Sequence, residues 1–160
     1  MENIQIKYAD QMICFQEIPD EISLSFSITG CKRNCKGCHS QYLREEKGIE
    51  VKSVLNSFLK KYNGIITCVL FMGGDDELHK QSLFECANIC KNNGLKIALY
   101  SGATECDDDI FELFDYVKVG PYIEELGGLK SKKTNQRLYK INHNTNTKED
   151  ITYLFWKKIE

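Results

Sequence analysis

The stretch Ile65-Ile66-Thr67-Cys68-Val69-Leu70-Phe71-Met72-Gly73-Gly74-Asp75 decides the fold of this chain. Residues 65–72 form a short, nearly continuous apolar run, as a strand buried on both faces requires. Gly73-Gly74-Asp75 breaks the run. Upstream, Val51, Val54, Leu55, Phe58 and Leu59 recur at i, i+3, i+4, i+7 and i+8. That spacing predicts one face of an amphipathic helix, stopped by Asn63-Gly64. Downstream, a second helix is expected over residues 76–91, with Leu83, Ala87 and Cys90 on one stripe and Asn93-Gly94 as its stop. If Gly73-Gly74-Asp75 is a plain turn and no more, Asp75 or Asp76 would serve as its N-cap.

Working outward, residues 22–28 alternate apolar and polar side chains and read as an earlier strand. Residues 95–100 and 116–119 read as later strands, with a short helix over 107–114 between them. Residues 4–8 and 12–15 suggest an N-terminal hairpin, and 136–141 and 151–155 suggest two late strands. Alternating strands and helices imply an α/β fold with a mostly parallel sheet. Sites in such sheets form at the carboxyl ends of strands. The loop over 29–48 and the Gly-Gly-Asp turn each follow a strand end, so both are expected on one rim.

That loop reads Thr29-Gly30-Cys31-Lys32-Arg33-Asn34-Cys35-Lys36-Gly37-Cys38-His39. Three thiolates within eight residues can wrap one soft metal centre. A four-iron cluster usually takes four cysteines, so three protein ligands would leave one metal position open to a substrate. Cys35 to His39 also spells the c-type haem attachment pattern. Haem attachment requires export, however, and residues 1–10 are polar with no apolar segment. Structural zinc with His39 or His79 as fourth ligand fits the same residues.

The chain has 160 residues and a formal charge of −2, which suits one domain over 1–160. Basic residues are scattered apart from Lys130, Lys132 and Lys133, a run that reads as a solvated loop. Nucleic acid and membrane are therefore not expected partners, and the cytoplasm is the expected compartment. Eight cysteines in such a setting point to metal or redox chemistry rather than disulfides. Cys68 reads as core, as do Cys86 and Cys90 at i, i+4 on a helix, and His79 and His143 read as surface residues.

The C-x-x-x-C-x-x-C spacing after a first strand resembles the radical S-adenosylmethionine superfamily. Within it, the chain is similar to the activating proteins of anaerobic ribonucleoside-triphosphate reductase. The similarity extends through Phe71-Met72-Gly73-Gly74-Asp75 and Leu99-Tyr100-Ser101-Gly102. It continues through Tyr116-Val117-Lys118-Val119-Gly120-Pro121-Tyr122 and Thr134-Asn135-Gln136-Arg137-Leu138-Tyr139. Two positions depart from the usual pattern: Asp76 stands where a proline is common, and His39 where tyrosine is commoner.

The resemblance implies a [4Fe-4S] cluster on Cys31, Cys35 and Cys38, with S-adenosyl-L-methionine on the fourth iron. Gly37, Cys38, His39, Gly73 and Gly74 would contact that cofactor. No further catalytic residue is implied, and Arg137 is assigned no catalytic role. One electron from a flavodoxin or ferredoxin would split the cofactor, and the resulting radical would take hydrogen from a glycine of the reductase. The fold implied is an open, partial (β/α) barrel, since a full eight-fold barrel typically needs ~250 residues.

Overall fold

The computed structural model describes residues 4–30 and 47–156. The residue types around the 65–75 stretch act as expected. β1 (Lys7–Cys14) and β2 (Ser23–Ile28) come first, and β3 (Ile49–Glu50) runs directly into α1 (Val51–Lys61). β4 (Cys68–Met72), α2 (Lys80–Asn92), β5 (Lys96–Tyr100), α3 (Asp108–Leu113) and β6 (Tyr116–Val119) follow in alternation. β7 (Arg137–Asn142), β8 (Thr147–Asp150) and a 3-10 turn over Thr152–Trp156 complete the described chain.

The strands form one mixed sheet in the order β3-β1-β2-β4-β5-β6-β7-β8. β2, β4, β5 and β6 are parallel to one another, whereas the other four pairings are antiparallel. The α/β class holds, but the expectation of a mostly parallel sheet does not. The reason lies in the connections: parallel neighbours need a crossover, usually a helix, and only three connections here contain one.

Alternation along β2 sorts the two faces. Leu24, Phe26 and Ile28 join Val69, Phe71, Ile97 and Leu99 under the helices, packed on Val51, Leu55, Leu83, Cys86 and Cys90. Cys68, Leu70, Ala98, Tyr116 and Leu138 face the other way. They are covered by Ile18, Ile151, Leu154 and Phe155. β4 is thus buried on both faces, as its unbroken apolar run requires.

Other expectations need correction. Residues 4–15 form no hairpin: β1 is one strand, paired with β2 from Tyr8 to Cys14 through a register irregularity at Tyr8/Asp10. Asp10 and Gln11 lie inside the strand, where an irregularity of this kind bends the strand while pairing with β2 continues. The last strand is Thr147–Asp150 rather than 151–155. Ile151, Leu154 and Phe155 lie at helical spacing and turn back onto the sheet. α2 starts at Lys80 rather than 76, after a turn in which the Lys80 N–H donates to the Asp76 carbonyl at 2.9 Å. No helix among the described residues is long and apolar enough to cross a membrane.

Candidate functional site

The three parallel pairings bring the carboxyl ends of β2, β4, β5 and β6 side by side, and hydrogen bonds lace those ends together. The Gly73 N–H donates to the Tyr100 carbonyl at 3.0 Å, and the Ser101 N–H to the Lys118 carbonyl at 2.9 Å. The Ser101 hydroxyl donates to Asp75 Oδ2 at 2.6 Å and accepts from the Ala103 N–H at 3.0 Å. The Gly120 N–H donates to the Ala103 carbonyl at 2.7 Å. Ser101 is fully buried at the centre of this lacing.

Gly73 and Gly74 sit on this rim in the left-handed region, with φ of 108° and 89°. L side chains rarely adopt that conformation, so the turn itself selects glycine. Packing adds a second reason at Gly74, where a Cβ would lie 3.2 Å from Ile6 Cγ2 and 3.4 Å from Ile28 Cγ2. The Cβ direction therefore faces the protein's own core, and space for a ligand is not what excludes a side chain there. The Gly73 N–H is engaged by the Tyr100 carbonyl.

Cys31, Cys35, Gly37, Cys38 and His39 lie outside the described residues. The two stems of their loop are described. Thr29 and Gly30 follow β2 at the rim, and the chain returns at Lys47. The Thr29 hydroxyl donates to the Lys47 carbonyl at 2.6 Å and accepts the Lys47 N–H at 3.2 Å. Gly73 is the near neighbour of this stem, since a Cβ on it would lie 3.5 Å from Ile28 Cβ. The loop stems and the Gly-Gly turn thus share one rim.

On the face away from the helices, Ser27, Met72, Tyr100 and Lys118 occupy one register row just below the rim. The Lys118 ammonium lies 5.7 Å from the Tyr100 ring centroid. Tyr100 donates its hydroxyl to the Glu17 carbonyl. Lower on the same face, Glu21 accepts from Lys96 at 2.8 Å and from Tyr116 at 2.7 Å. Burial alone would raise the Glu21 carboxyl. Hydrogen bonds from Lys96, Tyr116 and Thr67 outweigh it and hold the group below its ordinary 4.5.

Other candidates separate cleanly. His79 is buried rather than a surface residue, and its Nδ1 meets the Asp76 carboxylate at 2.7 Å. Neither Asp75 nor Asp76 caps α2, whose N-cap residue is His79 itself. His143 is exposed, 3.2 Å from Asp115. Arg137 stands at the start of β7 beside the end of β6. Its guanidinium pairs with Asp150 at 3.6 Å and lies over Trp156. Cys68 and Cys86 are fully buried, and desolvation pushes both thiols up to about 12. Cys90 is buried and shifted in the same direction. These protonated thiols pack as small apolar groups and are poor metal ligands. Among the described residues, no three His, Cys, Asp or Glu side chains converge as a metal site.

No protein-family model matches the chain, and no curated protein matches it.

Proposed function

We propose that this chain activates an anaerobic ribonucleoside-triphosphate reductase by installing a glycyl radical on it. The observation that carries the reading is the shared rim. The stems of a three-cysteine loop are tied at the end of β2, next to a left-handed Gly-Gly turn at the end of β4.

In this reading Cys31, Cys35 and Cys38 would hold a [4Fe-4S] cluster, and the site would bind S-adenosyl-L-methionine. Gly37, Cys38 and His39 would be the loop's contacts to the cofactor. Gly73 and Gly74 accept its amino group through their carbonyls, while Asp75 and Ser101 hold the turn that presents them. When bound, the pair would supply one-electron reductive cleavage of a carbon–sulfur bond and hydrogen abstraction from the reductase glycine. The partly buried Met72 and Tyr100 bring apolar surface to the rim, which suits a site that must keep water from a radical.

The four parallel strands are the core of an open, partial (β/α) barrel, extended on each side by antiparallel strands. Its open mouth suits a large protein substrate. The protein works in the cytoplasm, takes its electron from a flavodoxin or ferredoxin, and acts on neither nucleic acid nor membrane.

The test is anaerobic reconstitution with iron and sulfide, then dithionite, S-adenosyl-L-methionine and the candidate reductase. The expected result is a glycyl-radical doublet by electron paramagnetic resonance, with 5′-deoxyadenosine formed and both lost in Cys31→Ala. A colourless zinc protein, or an intact cluster that forms no 5′-deoxyadenosine, overturns the reading. Formation of 5′-deoxyadenosine with no doublet on the reductase assigns the chemistry to a metabolite instead.

A further inference from the structure

We propose that residues 4–6 form a strap that sets the Gly73–Gly74 turn, and that Ser82 anchors the strap. Its bearing on S-adenosyl-L-methionine rests on the function proposed above; its bearing on the turn does not. The strap meets the segment after β4 at Gly74, Leu78 and Ser82, three points spaced four residues apart. The Ile6 side chain lies under Gly74, where a Cβ would come within 3.2 Å of Ile6 Cγ2. The Ile4 N–H donates to the Leu78 carbonyl at 2.9 Å. The Ile6 N–H donates to Ser82 Oγ at 2.9 Å, across 76 positions of sequence.

Ile6 is fully buried, and its two backbone groups are held by different helices. Its N–H goes to Ser82 of α2, and its carbonyl accepts the Val51 N–H at the start of α1 at 3.0 Å. No side chain caps α1, so that bond also serves one of the helix's orphan donors. Ser82 is itself buried, and its hydroxyl donates to Gln5 Oε1 at 3.1 Å. Serine is an indifferent helix former, so α2 does not call for this residue; the strap does.

Residues 73–79 lie between β4 and α2, so other segments must fix the turn. Tyr100 and Ser101 hold it from the end of β5. Ile6 is the floor on which Gly74 rests. Ser82 touches neither Gly74 nor a cofactor in this account; it acts through Ile6 and is a positioning residue.

Ser82→Ala leaves the buried Ile6 N–H without its acceptor, whereas Ser82→Thr keeps the hydroxyl. The Gly73 amide, bonded to Tyr100, reports opening of the turn. In metal-free protein its hydrogen exchange is expected to speed up about tenfold in Ser82→Ala, as the loss of one buried hydrogen bond dictates. Amides of the β7–β8 hairpin, which can open without the strap, should stay within about twofold of wild type. Ser82→Thr should restore Gly73. Ser82→Cys, close in size but a weak acceptor, gives the same readout if the alanine variant does not fold. In anaerobically reconstituted protein, S-adenosyl-L-methionine should bind Ser82→Ala several-fold more weakly than wild type or Ser82→Thr, with iron per chain unchanged.

Unchanged Gly73 exchange in the hydroxyl-free variants overturns the strap. Equal acceleration at Gly73 and in the β7–β8 hairpin makes Ser82 a support of the whole fold and overturns its positioning role. Selective acceleration with unchanged cofactor binding overturns the link to S-adenosyl-L-methionine. Wild-type protein that binds no S-adenosyl-L-methionine overturns the proposed function, while Gly73 exchange still decides the strap.

Discussion

Ser101 shows how one buried hydroxyl can organise a site. It donates to Asp75 and accepts from Ala103, tying the Gly73–Gly74 turn to the end of β5. Ser101→Ala leaves one Asp75 oxygen and the Ala103 N–H without that partner. Removal of such a bond costs about 1–3 kcal/mol. Urea unfolding of the metal-free protein should show a loss in this range. S-adenosyl-L-methionine binding to the iron-loaded protein should weaken, and Ser101→Thr should restore both. Equal binding by wild type and Ser101→Ala would separate the turn from the cofactor. Neither Ser101 nor Thr29 was legible in the sequence as a linchpin, because a single hydroxyl carries no spacing and its partners lie up to 26 positions away. The glycines were legible as a turn. Their packing against Ile6 and Ile28 was not, since that contact joins three separate segments of the chain. His79 was misread for a similar reason: a polar residue before a helix looks solvated until its Asp76 partner is seen.

At the scale of elements, periodicity identified α1, α2 and the four parallel strands, and burial of their apolar positions explains why. It failed where pairing or packing overrides pattern. β8 is exposed at all four positions and exists through its antiparallel partner β7. Its Lys148, Glu149 and Asp150 give the sheet a charged edge, which discourages further pairing. The connection between β1 and β2, which no sequence pattern marks, is not loose. It is instead fastened under the sheet by Glu21, which meets Lys96 of β5 and Tyr116 of β6. The Glu21 carboxyl titrates below its unfolded value, so its contribution is complete above about pH 4.5 and is lost as pH falls through the lower folded value. Wild-type urea midpoints should therefore drop more steeply between pH 7 and pH 3 than those of Glu21→Gln. At pH 7 the variant should be less stable by about 1.5–3 kcal/mol, the range for hydrogen bonds to a charged group. Parallel curves for the two proteins would show that the contact does not survive in solution.

For the whole molecule, the uneven covering of the two faces separates stability from chemistry. All three helices pack on one face. The other is filled at its lower end by Ile18, set against Cys68, Leu70, Ala98, Tyr116 and Leu138. In a closed barrel, layers of strand side chains fill that space; here a loop between two antiparallel strands does so. Ile18 is fully buried, yet it stands alone between Glu17 and Pro19, so no periodic pattern marked it as core. Its position at the end of the sheet away from the rim leads to a divided outcome for Ile18→Ala. Truncation of a buried isoleucine leaves a cavity and costs about 2–5 kcal/mol. Denaturant unfolding should show that loss, whereas iron per chain after anaerobic reconstitution, measured well below the variant's melting temperature, should match wild type. A loss below about 0.5 kcal/mol, as at an ordinary surface site, would mean that the loop does not plug the sheet. A fall in iron content in step with stability would mean that the two ends of the sheet are not independent, and that the rim draws its order from the core beneath it.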